Sequence, residues 1–407
     1  MELANFYERF CDEAFDKNGV LKYFTPIVPE GFNFAYDVVD EIARVEPNRR
    51  CLVWCNEKGE ERLFTYGEMR ELSDRAANLF AANGVKKGDS VMLVLKRHYQ
   101  FWYALMGLHK LGAVGIPATN LLTVKDFLYR FGAAGISCVL ATTDGSVQET
   151  MEEAMGEYGG IKARFSVKGK RDGWVDFDQE LLKQPGSFAR ASNSAEDPLL
   201  LYFTSGTTGQ PKMVCHDHSY PIAHIITAKY WQNVEPDGLH LTVSETGWAK
   251  SVWGKLYGQW LMAAAVFVYD FDKFDAPVLL KMMEKYGVTS FCAPPTIYRF
   301  LIKGGMEKGS FGMVRYAVTA GEALNPEVYN RFEELTGLRL MEAFGQTETT
   351  VLTLNLVGST PKVGSMGKPS PLYSIALLDE EGNEVAPGEV GELCVRIPEG
   401  KKQNGVY

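Results

Sequence analysis

Leu199-Leu200-Leu201-Tyr202-Phe203-Thr204-Ser205-Gly206-Thr207-Thr208-Gly209-Gln210-Pro211-Lys212 is an apolar run of strand length followed at once by hydroxyls, glycines and a closing lysine. Glycine lets a backbone approach an anion closely and adopt φ > 0. Successive N–H groups in such a loop form an anion-binding concavity, and a terminal lysine adds a point charge. Thr204, Ser205, Thr207 and Thr208 contribute hydroxyls that can each turn toward a phosphate oxygen. Two readings follow, a polyphosphate cradle and a plain polar turn. The pattern is not the common phosphate loop, which has Gly directly before its lysine and Ser or Thr directly after. Pro211 and Met213 stand in those places, so the usual metal-binding hydroxyl is absent. The surrounding chain has to decide.

A chain of 407 residues exceeds what one core of about 250–300 residues holds, so two or three folding units are expected. The net charge of −9 argues against a general nucleic-acid or membrane-surface protein. Glu2 and Glu8 interrupt any signal-like start, and the longest apolar stretch, Trp260 to Tyr269, is too short to span a bilayer. Seven cysteines without Cys-x-x-Cys spacing read as buried thiols of a reducing cytoplasm.

Residues 1–60 read as a lead-in segment with a helix from Asn5 to Phe15. A βα alternation fills 61–180: Thr65 with Glu68 and Thr123 with Asp126 form capping boxes, Ser146 with Glu149 caps another helix, and Val91 to Leu95 and Cys138 to Leu140 are strands. Residues 168–197 are turn-rich and read as a linker. A second βα block over 196–345 begins with the opening stretch, and one helix in it spans Trp248 to Met262. Past 346 short strands around Asp379-Glu380-Glu381-Gly382-Asn383 predict a small antiparallel β-barrel-like subdomain to 407. The fold class is thus α/β, two doubly wound and mostly parallel subdomains followed by that β subdomain. Strands in the second block end at the cradle, at Gly321-Glu322 and at Glu342 to Glu348. Ligands of open α/β sheets bind beyond the carboxyl ends of strands, so three loops around one pocket favour the phosphate reading.

The order and spacing of Tyr202 to Lys212, Thr246-Gly247-Trp248, Ala320-Gly321-Glu322 and Phe344-Gly345-Gln346-Thr347-Glu348 resemble the AMP-forming acyl-CoA synthetase family of adenylate-forming enzymes, from about residue 35 onward. The resemblance implies that Thr204, Ser205, Gly206, Thr207, Thr208, Gly209, Gln210, Pro211 and Lys212 wrap the β- and γ-phosphates of ATP. It implies that Gly321, Glu322 and Ala323 lie along the adenine, with Glu342, Ala343 and Phe344 closing the other side. Thr347 would contact the α-phosphate, Glu348 would hold Mg²⁺, and Gly345 and Gln346 complete that loop. Thr204, Lys212, Thr347 and Glu348 are the catalytic candidates, and Trp248 matches the aromatic wall of the acyl pocket. Acetate-specific relatives place a tryptophan where this chain has Gly345, so a roomier pocket for a C3–C8 or branched acid is expected, with coenzyme A as the acceptor.

Other candidates have blander readings. His216-Asp217-His218 is a helix entry with Asp217 or Ser219 as cap, since two histidines at i, i+2 seldom make a metal site. Trp253, Tyr257 and Trp260 are core or wall, and Lys250 and Lys255 lie on a solvated helix face. Glu322 either touches adenine or satisfies loop N–H groups. The family pattern continues past Tyr407 with a ribose-binding aspartate, a hinge and a small C-terminal domain carrying a lysine. The expectation is a large domain alone, binding nucleotide weakly and forming thioester poorly, with a homodimer possible. Transfer of the acyl group to a carrier-protein thiol, and a non-catalytic nucleotide-binding module, are the alternatives.

Overall fold

The computed structural model describes residues 2–204 and 209–397. Two large sheets dominate them. The first has seven strands in the order Lys212–Asp217, Pro198–Thr204, Val114–Pro117, Ser90–Val94, Ile136–Thr142, Ala163–Val167, Val175–Asp176. All neighbours are parallel except the first pair. The second runs Lys368–Pro369, Val351–Leu354, Leu340–Gly345, Tyr316–Ala320, Ser290–Ala293, Leu239–Thr242, Ala265–Asp270, Arg50–Asn56, Glu61–Thr65, parallel at its centre and antiparallel toward both edges.

The central strands are mostly apolar and buried because helices cover both faces. Ile136–Thr142 and Ala265–Asp270 are buried at every position. One core joins the sheets: it holds Val91 and Leu93 of the first, Leu52 and Val266 of the second, and Phe101, Leu105, Ile222 and Ile226 between them. The helices Gln100–Leu111 and Tyr220–Tyr230 in this layer are buried almost all round, as a helix between two sheets must be. The outer faces carry amphipathic helices, Val124–Ala134 and Val147–Tyr158 on the first sheet and Ala276–Tyr286 and Pro326–Thr336 on the second. Thr65 with Glu68 and Thr123 with Asp126 form the expected capping boxes.

Several expectations are corrected. Pro198–Thr204, read as the start of the second block, pairs in parallel with Val114–Pro117 of the first sheet, Leu200 opposite Gly115. Arg50–Asn56, read as lead-in, pairs with Ala265–Asp270 of the second sheet. Both choices are made by partners far away in the chain, Gly115 for Leu200 and Val266 for Leu52. The expected helix at Asn5 to Phe15 is a short 3₁₀ helix, Leu3–Phe10, followed by a strand, Cys11–Phe15. The helix expected from Trp248 to Met262 is two, Lys250–Lys255 and Tyr257–Leu261, broken where Leu256 leaves helical geometry at φ −150°. Ser146 makes no side-chain cap. No barrel closes among the described residues past 346: Val351–Leu354 and Lys368–Pro369 extend the second sheet, and Ile375–Leu378 pairs with Glu392–Val395 and, at Leu378, bridges to Glu384. Among the described residues no helix is long and apolar enough to cross a membrane.

Candidate active site

The cradle stretch is a hairpin rather than a strand-to-helix turn. Thr204 ends one strand and Lys212 opens the next, directly opposite it. Ser205, Gly206, Thr207 and Thr208 lie outside the described residues. Gly209 and Gln210 follow in a bend, with Pro211 leading into the return strand. Tyr129 in the helix Val124–Ala134 donates its hydroxyl to the Pro211 carbonyl (2.9 Å), which ties the hairpin to the layer above it.

The Thr246-Gly247-Trp248 segment closes the other side. Thr246 donates its N–H (2.7 Å) and hydroxyl (2.6 Å) to the carbonyl of Lys96, just past the end of a first-sheet strand. A Cβ at Gly247 would sit 2.4 Å from the Thr119 nitrogen and 2.5 Å from the Ala118 carbonyl carbon, so only glycine permits this approach. Thr119 in turn donates its hydroxyl to Glu245 (3.1 Å). Trp248 is thereby held at the seam and stays 59% exposed.

Between these walls lies a cavity of about 540 Å³, formed by Thr204, Gly209, Pro211, Trp248 and Thr347 with Arg130, Thr119 and Phe203 among its further walls. Five expected residues from three distant segments therefore meet in one place. Arg130 and Thr119 gave no signal in the sequence, because a lone Arg on an amphipathic helix reads as a solvated face.

The residues expected to flank the adenine stand at adjacent strand ends. Tyr316–Ala320 and Leu340–Gly345 are parallel neighbours, with Ala320 opposite Ala343. Gly321, Glu322 and Ala323 are exposed, Phe344 is half-buried, and Gly345, Gln346 and Glu348 are exposed. Glu342 is buried and accepts a hydrogen bond from the Leu324 N–H (3.1 Å), so it joins the two loops. Burial raises its pKa and outweighs the opposing effect of that N–H. Glu322 accepts the Thr296 hydroxyl (2.7 Å) rather than loop N–H groups.

The Thr347 loop is anchored from the hairpin. The His216 Nε2–H, on the strand that Lys212 begins, donates to the Thr347 carbonyl (2.7 Å), and its ring stacks on Tyr220 at 3.8 Å. Burial pushes His216 down to about 4, so the imidazole is neutral at pH 7. His216 and Asp217 end a strand instead of entering a helix; Asp217 accepts from the Ser219 N–H (2.9 Å) and hydroxyl (2.6 Å). Among the described residues no group of His, Cys, Asp or Glu could hold a metal by itself.

Gly345 does not line the cavity. It sits at a register shift, where a Cβ would lie 2.2 Å from the Thr350 carbonyl oxygen. Close backbone approach is thus reason enough for glycine there, apart from any effect on pocket volume. Lys250 and Lys255 are not on a solvated face: Lys250 donates to the Ala320 carbonyl (2.8 Å), and Lys255 is 1% exposed and bonded to the Ser244 carbonyl. Burial pushes Lys255 down to about 7. Tyr257 and Trp260 are fully buried, and Trp253 packs against the same core.

A sequence model of the AMP-binding enzyme family matches residues 39–400. The chain belongs to that family. The chain is 36% identical over 380 residues to the human mitochondrial acyl-coenzyme A synthetase ACSM5, with 91% of this chain and 65% of that protein aligned. It is 34% identical over 378 residues to mouse mitochondrial acyl-coenzyme A synthetase ACSM4, covering 91% and 65%. The chain spans just under two thirds of these relatives' own length. Among solved structures, a Brucella canis acyl-CoA synthetase superposes with a TM-score of 0.81 at 25% identity over 90% of this chain and 67% of that one. An anthranilate CoA ligase solved with anthranoyl-AMP shares the fold, with a TM-score of 0.82 at 22% identity over 91% and 70%.

Proposed function

We propose that this AMP-binding enzyme activates a small to medium or branched carboxylic acid with ATP, giving the acyl-adenylate and then, with coenzyme A, the acyl-CoA and AMP. The observation that carries it is the single cavity where the hairpin residues Thr204, Gly209 and Pro211 meet Thr347 and Trp248. In the first step a carboxylate oxygen bonds to the α-phosphorus, and the bond to the β-phosphate oxygen breaks with its electron pair leaving on pyrophosphate. No proton moves, so the protein's work is positioning and charge stabilisation. Thr204 and Lys212, paired across the hairpin, would grip the leaving end. Thr347 would hold the α-phosphate, and Trp248 would wall the acid.

The exposed Glu348 suits Mg²⁺, which binds through one or two carboxylates plus substrate phosphates rather than an all-protein cage. When bound, Mg²⁺ would neutralise charge between the phosphate oxygens. The nucleotide would lie along Gly321, Glu322 and Ala323 on one side and Ala343 and Phe344 on the other, with Glu342 fixing the two loops against each other. The seven free thiols fit a reducing compartment, and we propose the cytoplasm, although the two relatives named are mitochondrial.

A screen of acids by ATP–pyrophosphate exchange and hydroxamate trapping tests the reading. Exchange with C3–C8 straight or branched acids is expected. Exchange with acetate alone would refute the acid class, and exchange with no acid would refute adenylation.

A further inference from the structure

Arg130 is the only ionised side chain among the described residues that line the cavity. Its guanidinium is held in place from two directions: it lies over the Phe203 ring at 5.1 Å, and Nη1 donates to the Asp126 carbonyl (3.1 Å). The side chain is 13% exposed, and its nearest counter-charge, the Asp126 carboxylate, is 3.6 Å away and itself 42% exposed. That carboxylate is shared: its Oδ2 accepts the Thr123 N–H and hydroxyl of the capping box, and its Oδ1 is the oxygen facing Arg130. Nε and Nη2 have no partner among the described residues. A cation that faces the cavity with two donor groups unpaired, and with its counter-charge beyond hydrogen-bond distance, is placed to take an anion from the cavity. Its open edge offers the fork of donors that matches phosphate oxygens.

The position says which anion. Phe203, beneath the guanidinium, is the residue before Thr204, and neighbouring Tyr129 holds the Pro211 carbonyl at 2.9 Å. Both contacts are to the two arms of the hairpin that holds the cradle. We propose that Arg130 binds the pyrophosphate end of ATP and stabilises the charge that gathers on the leaving group. This rests on the adenylation reading above and adds to it a cation from the first sheet's outer helix layer.

The test compares wild-type protein with R130Q and R130K. Calorimetric titration with magnesium pyrophosphate, with ATP and with AMP is set beside steady-state kinetics, and unfolding midpoints check the fold. R130Q is expected to weaken pyrophosphate and ATP binding about tenfold or more, to leave AMP binding and the acid's KM unchanged, and to be partly rescued in R130K. Removing one such charge-stabilising donor typically lowers kcat by about 10²–10³. If the wild type binds ATP and exchanges pyrophosphate while folded R130Q does both equally well, the assignment falls and adenylation stands. A change confined to the acid's KM overturns the assignment in favour of the acid carboxylate. Wild-type protein that binds neither ATP nor pyrophosphate overturns both.

Discussion

Glu342 shows how a single buried carboxylate can matter without touching a reacting atom. Its oxygen holds the Leu324 N–H at 3.1 Å, and its own carbonyl accepts from the Asn355 N–H (3.1 Å) and side-chain amide (2.9 Å). Replacement by Ala orphans a buried N–H, which costs about 1–3 kcal/mol; replacement by Gln keeps an acceptor. E342A should therefore raise the KM for ATP several-fold and leave that for the acid alone, while E342Q stays near wild type. Initial-rate kinetics check this, and equal damage in both variants would mean that the charge, not the hydrogen bond, matters. At this scale the sequence was most legible where chemistry is local, as in the Thr65 and Thr123 boxes. It was least legible for lone charges: Lys255 looks like a solvent-facing lysine until the packing of its helix is known.

Among the elements, the hairpin around the cradle does more than close a loop. Its return strand, Lys212–Asp217, carries His216, whose bond to the Thr347 carbonyl couples the proposed pyrophosphate and α-phosphate segments. A neutral imidazole keeps that donor, so the coupling should not vary between pH 6 and 9. H216F preserves the stack on Tyr220 but removes the donor, and should lower kcat for adenylation by about tenfold, the equivalent of one hydrogen bond of roughly 1.4 kcal/mol. H216N, which can still donate, should recover part of it. Pyrophosphate exchange with a saturating acid reads the difference, and an H216F rate equal to wild type would reduce His216 to a packing residue. The motif that ends in Lys212 is visible in the sequence; the partner of the histidine four residues later is not, because Thr347 arrives from the other sheet.

For the whole molecule, five buried histidines lower stability as pH falls, and carboxylates such as Asp40, whose pKa burial raises to about 6, oppose them. Of the six histidines, His216 and His218 are pushed down to about 4 and His240 to about 3 by burial, and His109 and His224 lie well below the usual value for the same reason. His98 goes the other way: burial opposes its charge, but hydrogen bonds to Asp144 and Asp270, across the seam between the sheets, hold it above 6.5. Five groups whose folded pKa is depressed take up protons on unfolding below about pH 6.5, so their stability is present above that pH and lost as pH falls toward 4. His98, raised, contributes below its unfolded pKa and loses that contribution as pH rises through its folded one. Each depressed histidine adds about 1.4 kcal/mol per pH unit once its unfolded form is protonated. In urea unfolding between pH 6.5 and 5, H240N should reduce the dependence of stability on pH by about one proton relative to wild type. A slope unchanged in H240N would show that this histidine is not held neutral.

The sequence by itself determined the composition of the cradle, the caps, the apolar strands and the order of the four motifs, since each depends on residues within a turn or two of one another. The tertiary structure decided which sheet the cradle strand joins, with Leu200 opposite Gly115, and which charges are buried. It also brought Arg130 into the same cavity as Thr204 and Thr347. Those choices depend on pairing and burial between segments far apart in the chain, where the free energy lies in shared surface and paired backbone rather than in any local pattern.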